Sequence, residues 1–322
     1  MMALDVQDLT VHFPTTAGDQ PAVDGVSFTL RRGQTLGLVG ESGSGKTMTG
    51  YAILRLVPPP GRITGGLVRL NGQSLAGLSE PAMRQLRGNR IALIMQDPMS
   101  CLNDVLRVGT QMTEAVRAHR RVQPAEAWAL ARDALGRMGI PHPEERLDAY
   151  PHEFSGGMRQ RIAIATALLN KPDVIIADEP TTALDVTIQA QILSEVQRIC
   201  AADGMAMLWI THDLSVVAGL ADEIAVMYAG RIVERGLSDA VIASPLHPYA
   251  EGLMASVPAR NQPGERLRQI PGTMPGLGSL PGGCTFRPRC SRADPVCEQV
   301  PALAELRPQH HARCFHPLQP AV

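Results

Sequence analysis

Val26, Phe28 and Leu30 alternate with polar neighbours, and Thr35 to Val39 is a short apolar run that stops at Gly40. Both are strand patterns, so the first 40 residues read as β-structure. Leu67 to Leu70 is a further strand-like stretch, closed by Asn71-Gly72, the dipeptide that suits a tight hairpin turn. From about Asp97 to Tyr150 the period becomes helical. Pro124 stands at a good first-turn position, and Trp128, Ala131, Leu135 and Met138 fall on one face. Beyond Phe154 the β/α alternation resumes: a helix from about Gly156 to Asn170, a buried strand Val174 to Ala177, a helix through the 180s and 190s, then a strand Met205 to Ile210. The fold class is therefore α/β. After Ser244 the composition shifts, and from Pro258 to Pro281 prolines and glycines are dense. This predicts a main domain over residues 1–244, with a helical part at about 97–155, and an irregular C-terminal extension over 245–322.

Composition narrows the function. The 322 residues are 44% apolar and 19% charged, which excludes global disorder, and the net charge of −1 argues against nucleic acid as a partner. Only two lysines, Lys46 and Lys171, stand among the 30 basic residues. No apolar run approaches the ~20 residues needed to span a bilayer. The start MMALDVQDLT has neither a basic nor an apolar stretch, so no secretory signal is expected, the location is cytoplasmic, and any membrane role is peripheral.

Gly40-Glu-Ser42-Gly43-Ser44-Gly45-Lys46-Thr47 fits GxxxxGK[ST] between an apolar strand and a helix-like run, with Gly40, Ser42 to Thr47 and Met48 as the expected nucleotide-binding residues. Glycines let the backbone wrap a phosphate with its N–H groups inward, and the helix N-terminus adds partial positive charge. Lys46 reaches β- and γ-phosphate oxygens, and the Thr47 hydroxyl suits Mg²⁺. The motif predicts nucleotide binding, with ATP as the expected cofactor, without naming a reaction. Downstream, Asp173 to Asp178-Glu179 is an apolar strand ending in two carboxylates. Asp178 is placed to hold Mg²⁺, and Glu179 to orient and deprotonate water.

Phe154-Ser155-Gly156-Gly157-Met158-Arg159-Gln160-Arg161 precedes that strand, and here the chain resembles the ATP-binding cassette (ABC) family, whose signature reads LSGGQ. Met158 replaces the signature glutamine, a variant familiar in the peptide-importer branch. The resemblance implies a P-loop ATPase domain with an antiparallel β subdomain and a helical subdomain. It implies that Ser155, Gly156 and Gly157 face the γ-phosphate bound by a second subunit. It implies that Gln96 is the Q-loop glutamine, a Mg²⁺ ligand that senses the membrane subunit. Ala183-Leu184-Asp185 matches the D-loop, and His212 the switch histidine that contacts the γ-phosphate. Phe13 resembles the aromatic that stacks on adenine. Cys101 and Asp104 depart from the Ser/Thr and Pro often found after the Q-loop, and neither is catalytic.

Pro245-Leu-His-Pro-Tyr249-Ala, Ile270-Pro-Gly, Pro281-Gly-Gly-Cys284, Pro288-Arg-Cys290 and Cys297 extend the resemblance to oligopeptide and dipeptide importer ATPases over nearly the whole chain. The implied partners are a second ATPase subunit of different sequence, two permease subunits and an extracytoplasmic solute-binding protein, at the cytoplasmic face of the inner or plasma membrane. Membrane contact would run only through the permeases. Peptides are the implied cargo, with nickel chelates or glutathione-like solutes as alternatives. A non-transport ABC ATPase with an iron–sulfur regulatory site is a further one. Cys284, Cys290, Cys297 and Cys314 have the spacing C-x5-C-x6-C-x16-C, without the close pairs of a zinc ribbon. The resemblance implies a [4Fe–4S] cluster in some members. His310, His311 and His316 lie near Cys314 in sequence and keep a mixed zinc site open. With or without metal, the plain role is a staple for a proline-rich tail.

Overall fold

The structure, a computed structural model, describes residues 1–16, 18–182, 184–257 and 268–319. The chain forms two compact units. The first comprises Met1–Leu4, Leu30–Gln34 and Leu75–Leu208, and the second Asp5–Thr29, Thr35–Ser74 and Trp209–Val322.

In the first unit the strands Ile91–Ile94 and Val174–Asp178 run parallel, with Ile91 opposite Val174 and Ile94 opposite Ala177. Every residue of Val174–Asp178 is buried, which is why the sequence reads there as a continuous apolar run. Asp173, at its entrance, is clamped by Arg32 and Arg90 at 2.6 Å each. Helices occupy Val108–Arg117, Pro124–Arg137, Pro143–Arg146, Gly156–Leu168 and Val186–Asp203. The buried stripe of Pro124–Arg137 is Ala127, Ala131 and Leu135, continued by Met138. Trp128 flanks the stripe, half-buried, with its ring against Gly109, where a Cβ would approach it to 2.6 Å.

The second unit holds most of a four-stranded sheet in the order Gly18–Arg31, Met2–Thr15, Arg62–Leu70, Gln73–Ser74. Asn71 (φ 48°) and Gly72 (φ 83°) make the expected turn between the last two strands, which pair antiparallel. The same unit packs Thr35–Val39 parallel to Glu223–Tyr228, which pairs antiparallel with Arg231–Leu237.

The extension is more ordered than its composition suggests. It contains a helix, Pro248–Ala255, and two short strands, Ala304–Arg307 and His310–Ala312, the second of which adds to the sheet beside Arg231–Leu237. Strands of four and three residues are too short for alternation to show in sequence. Their anchor is Glu234, fully buried on Arg231–Leu237. Its carboxylate accepts the N–H groups of Leu246 (2.9 Å) and His247 (2.6 Å), and lies 2.7 Å from His310 Nε2. Burial pushes His247 down to about 3, so its ring is neutral and Nδ1 accepts the Tyr249 N–H at 3.0 Å. Residues 245–257 and 268–319 belong to the same compact unit as the phosphate loop. The part of the proline- and glycine-rich stretch at 258–267 lies outside the described residues.

Candidate functional site

The phosphate loop, Phe13 and His212 lie in the second unit. Gly45 has φ 104°, and a Cβ there would come within 2.5 Å of the Ala22 carbonyl oxygen; at Gly40 it would reach 2.2 Å from that of Met227. Only glycine fits at either position. The loop leads into the helix Lys46–Ile53. Lys46 is 4% exposed, and its ammonium donates to the carbonyls of Gly40 (2.7 Å) and Glu41 (2.9 Å) and to Ser44 Oγ (3.4 Å). Phosphate oxygens would compete well for it, because hydrogen bonds between ionised partners are stronger than those to neutral carbonyls. Ser42, Gly43 and Thr47 are exposed and Met48 is half-buried. Phe13 is half-buried, its ring edge against Gly61. His212 is exposed just after the strand Ala206–Thr211, and the next residue, Asp213, caps a short helix by accepting the Ser215 N–H at 2.8 Å.

The first unit carries the remaining predicted residues. Asp178 ends its strand 4% exposed. Glu179 follows in the left-handed region, φ 45°, an unfavourable conformation for a residue with a Cβ. The carboxylate accepts from Gln96 Nε2 at 3.4 Å and from Thr182 Oγ1 at 3.2 Å. Gln96 and Glu179, expected from sequence as Q-loop glutamine and base, are thus neighbours. Ser155 caps the helix Gly156–Leu168, its Oγ accepting the Met158 N–H at 3.4 Å, and Gly156 faces open space. A capped, accessible helix N-terminus leaves its remaining N–H groups able to face an anion. Asp185 is exposed at the N-cap of Val186–Asp203, and Ala183 lies outside the described residues.

The four C-terminal cysteines, all free thiols, line one cavity together with His247 and His316. Burial pushes the thiols of Cys284, Cys290 and Cys314 up, that of Cys314 to about 11, with the neighbouring cysteines adding to the shift. Backbone N–H groups already point at sulfur: Arg292 to Cys290 at 3.4 Å and His316 to Cys314 at 3.3 Å. The donor set fits a thiolate-bound metal, whose positive charge would stabilise thiolates that burial disfavours. Of the histidines considered for a mixed site, His310 is spent on Glu234, whereas His316 gathers with Cys297 and Asp294, their ligand atoms within 4.8 Å of one another.

Sequence reasoning missed Arg289 as a partner of the phosphate loop. It sits in the turn Arg287–Arg289, and its guanidinium meets the Glu41 carboxylate at two points, 2.6 and 3.0 Å. The available signal was an acidic residue inside a loop built for phosphates, which calls for a counter-charge.

Residues 23–182 match the family described as ABC transporter, and residues 233–297 the Oligopeptide/dipeptide transporter, C-terminal region. Over 316 residues the chain is 46% identical to the Oligopeptide transport ATP-binding protein OppD of Escherichia coli (strain K12), covering 98% of this chain and 94% of the relative. The chain belongs to the ABC transporter family, in its oligopeptide/dipeptide branch. The OppD protein of Bacillus subtilis (strain 168) is likewise 46% identical, over 99% of this chain and 90% of the relative. Among solved structures, a dimeric bacterial ABC transporter cassette shares the fold with a TM-score of 0.65 at 24% identity, covering 73% of this chain and 98% of that one. An ATP-binding subunit of an ABC transporter is 28% identical with a TM-score of 0.60, covering 74% and 91%. As an ABC ATPase, the chain binds and hydrolyses ATP.

Proposed function

We propose that this ABC protein is the ATP-hydrolysing subunit of an importer for oligopeptides or dipeptides, powering uptake through separate permease subunits at the cytoplasmic face of the inner or plasma membrane. The near-full-length likeness to the OppD proteins supports the cargo class. Among the described residues no helix is long and apolar enough to cross a membrane, which fits a subunit that docks on permeases. The segment after Gln96 exposes Met99, Val105 and Leu106, apolar residues suited to such docking. A second ATPase subunit of different sequence and an extracytoplasmic solute-binding protein complete the assembly.

The observation that carries the mechanism is Glu179 held by Gln96 and Thr182 at the end of the strand that delivers buried Asp178. Glu179 takes the proton from a water attacking the γ-phosphorus. Lys46 and the loop amides bind the β- and γ-phosphates, Phe13 stacks on adenine, and His212 contacts the γ-phosphate. Thr47, Gln96 and Asp178 would hold Mg²⁺, which supplies charge neutralisation. Ser155, Gly156 and Gly157 serve the nucleotide of the second ATPase subunit, with Asp185 beside that interface. Cys284, Cys290, Cys297 and Cys314 would hold a [4Fe–4S] cluster, which would order the extension, zinc being the competing metal. Support comes from four thiols on one cavity with N–H donors aimed at two of them.

Glu179→Gln tests the mechanism in the assembled transporter. ATP binding should persist while hydrolysis falls on the order of 10²–10⁴-fold. Near-normal turnover would remove Glu179 from its role.

A further inference from the structure

Glu41 is the first variable residue of the phosphate loop, and three of its groups are tied down from one side or the other. Its carbonyl oxygen accepts from Lys46 Nζ at 2.9 Å. Its N–H donates to Tyr249 Oη at 2.8 Å. Its carboxylate takes both terminal nitrogens of Arg289, NH1 to Oε2 at 2.6 Å and NH2 to Oε1 at 3.0 Å. Arg289 is itself over-determined. Its Nε donates to the Pro271 carbonyl at 2.8 Å, its guanidinium lies 5.8 Å from the Tyr228 ring centroid and 6.0 Å from that of Phe286, and its side chain is 4% exposed. Tyr249 and Phe286 both pack edge to face on Tyr228 and lie tilted against each other, so the clamp stands on an aromatic cluster. Tyr249, Pro271, Phe286 and Arg289 all come from the C-terminal extension.

We infer that Arg289 is a positioning residue for ATP: the extension reaches into the phosphate loop and, through the forked Arg289–Glu41 ion pair backed by Tyr249, fixes the loop's first turn and cancels the one carboxylate it carries. The chemistry requires this. A triphosphate is strongly anionic, and an unpaired carboxylate in the loop that receives it opposes binding. A planar guanidinium matches a carboxylate at two points and sets its orientation as well as its charge, which a lysine cannot do. Glu41, which Arg289 orients, also supplies a carbonyl against which Lys46 rests, so the clamp bears on the lysine that handles phosphate. The turn carrying Arg289 is bracketed by Cys284 and Cys290, which gives the cysteine-lined segment a task at the ATP site in addition to stapling the tail.

This inference rests on the ATPase reading, and the test separates the two. Wild-type full-length chain in the assembled transporter gives the reference ATP KM and kcat. Arg289→Ala should raise KM for ATP roughly 10-fold with a smaller change in kcat, the signature of lost ground-state binding. Adding Glu41→Gln to Arg289→Ala should recover most of the affinity, because the uncancelled charge is gone. Arg289→Lys, which keeps the charge and the stem and so preserves folding, should fall between wild type and Arg289→Ala. Unchanged KM in Arg289→Ala and Arg289→Lys overturns the inference, as does an equal loss in the single and double variants, which would mark Arg289 as a purely structural anchor. Absence of ATP turnover in wild type would instead overturn the ATPase reading.

Discussion

Two residues that the proposed mechanism uses have distinctive local surroundings. Lys46, one of two lysines in the chain, is buried against carbonyl oxygens with its stem packed inside the loop. Glu179 sits in left-handed backbone, at a cost of order 1–3 kcal/mol for a residue with a side chain. In that conformation its carboxylate accepts from Gln96 and Thr182. Lys46→Ala should weaken ATP affinity and stop transport, because no second lysine lies near the loop in sequence to replace its contacts with the β- and γ-phosphates. Calorimetry checks this on the full chain: equal ATP affinity in wild type and variant would remove the phosphate-loop assignment.

At the scale of the element, the helix Gly156–Leu168 begins at a capped, exposed N-terminus, which on the proposed reading serves the nucleotide of a second subunit. Ser155→Arg should therefore leave ATP binding to the isolated full-length chain largely intact and block hydrolysis in the assembled complex, where a long cation would occupy the interface. If the isolated chain lost ATP as completely as Lys46→Ala, the signature would be serving its own nucleotide. Elements of this kind were legible in the sequence because each couples a motif to a strong local pattern. Thr35–Val39 and Val174–Ala177 read as short apolar runs, and the structure places both strands within one residue of the expected ends. The expected helix from Gly156 ends at Leu168, two residues early. What was not legible is held by pairs distant in sequence. His310–Ala312 pairs with Arg231–Leu237 through a buried Glu234, and Arg289 meets Glu41 across 248 positions. Neither leaves a periodic trace, since a single charged residue reads the same on a solvated surface as in a buried clamp.

For the molecule as a whole, the question is why a cassette subunit carries four thiols in a tail of weak apolar patterning. Three of them are half-buried and Cys297 is buried, and burial raises the thiols of Cys284, Cys290 and Cys314, which disfavours thiolates there. A thiolate-bound metal would change that balance and lock the turn that presents Arg289. Protein purified without oxygen should then be brown, absorb near ~400 nm, and contain roughly four iron and four labile sulfide per chain, the count for a cubane on four thiolates. Cys290→Ser should remove the colour and raise the KM for ATP in the same direction as Arg289→Ala, because both changes release Glu41. Cys200 is the control. It is buried on Val186–Asp203, its thiol pushed up to about 12 by that burial, and its replacement should leave iron content and KM alone. Stoichiometric zinc without labile sulfide, in protein made under iron-replete and oxygen-free conditions, would replace the cluster with a zinc staple. A normal KM in metal-free Cys290→Ser would show that the clamp on Glu41 stands without any metal beneath it.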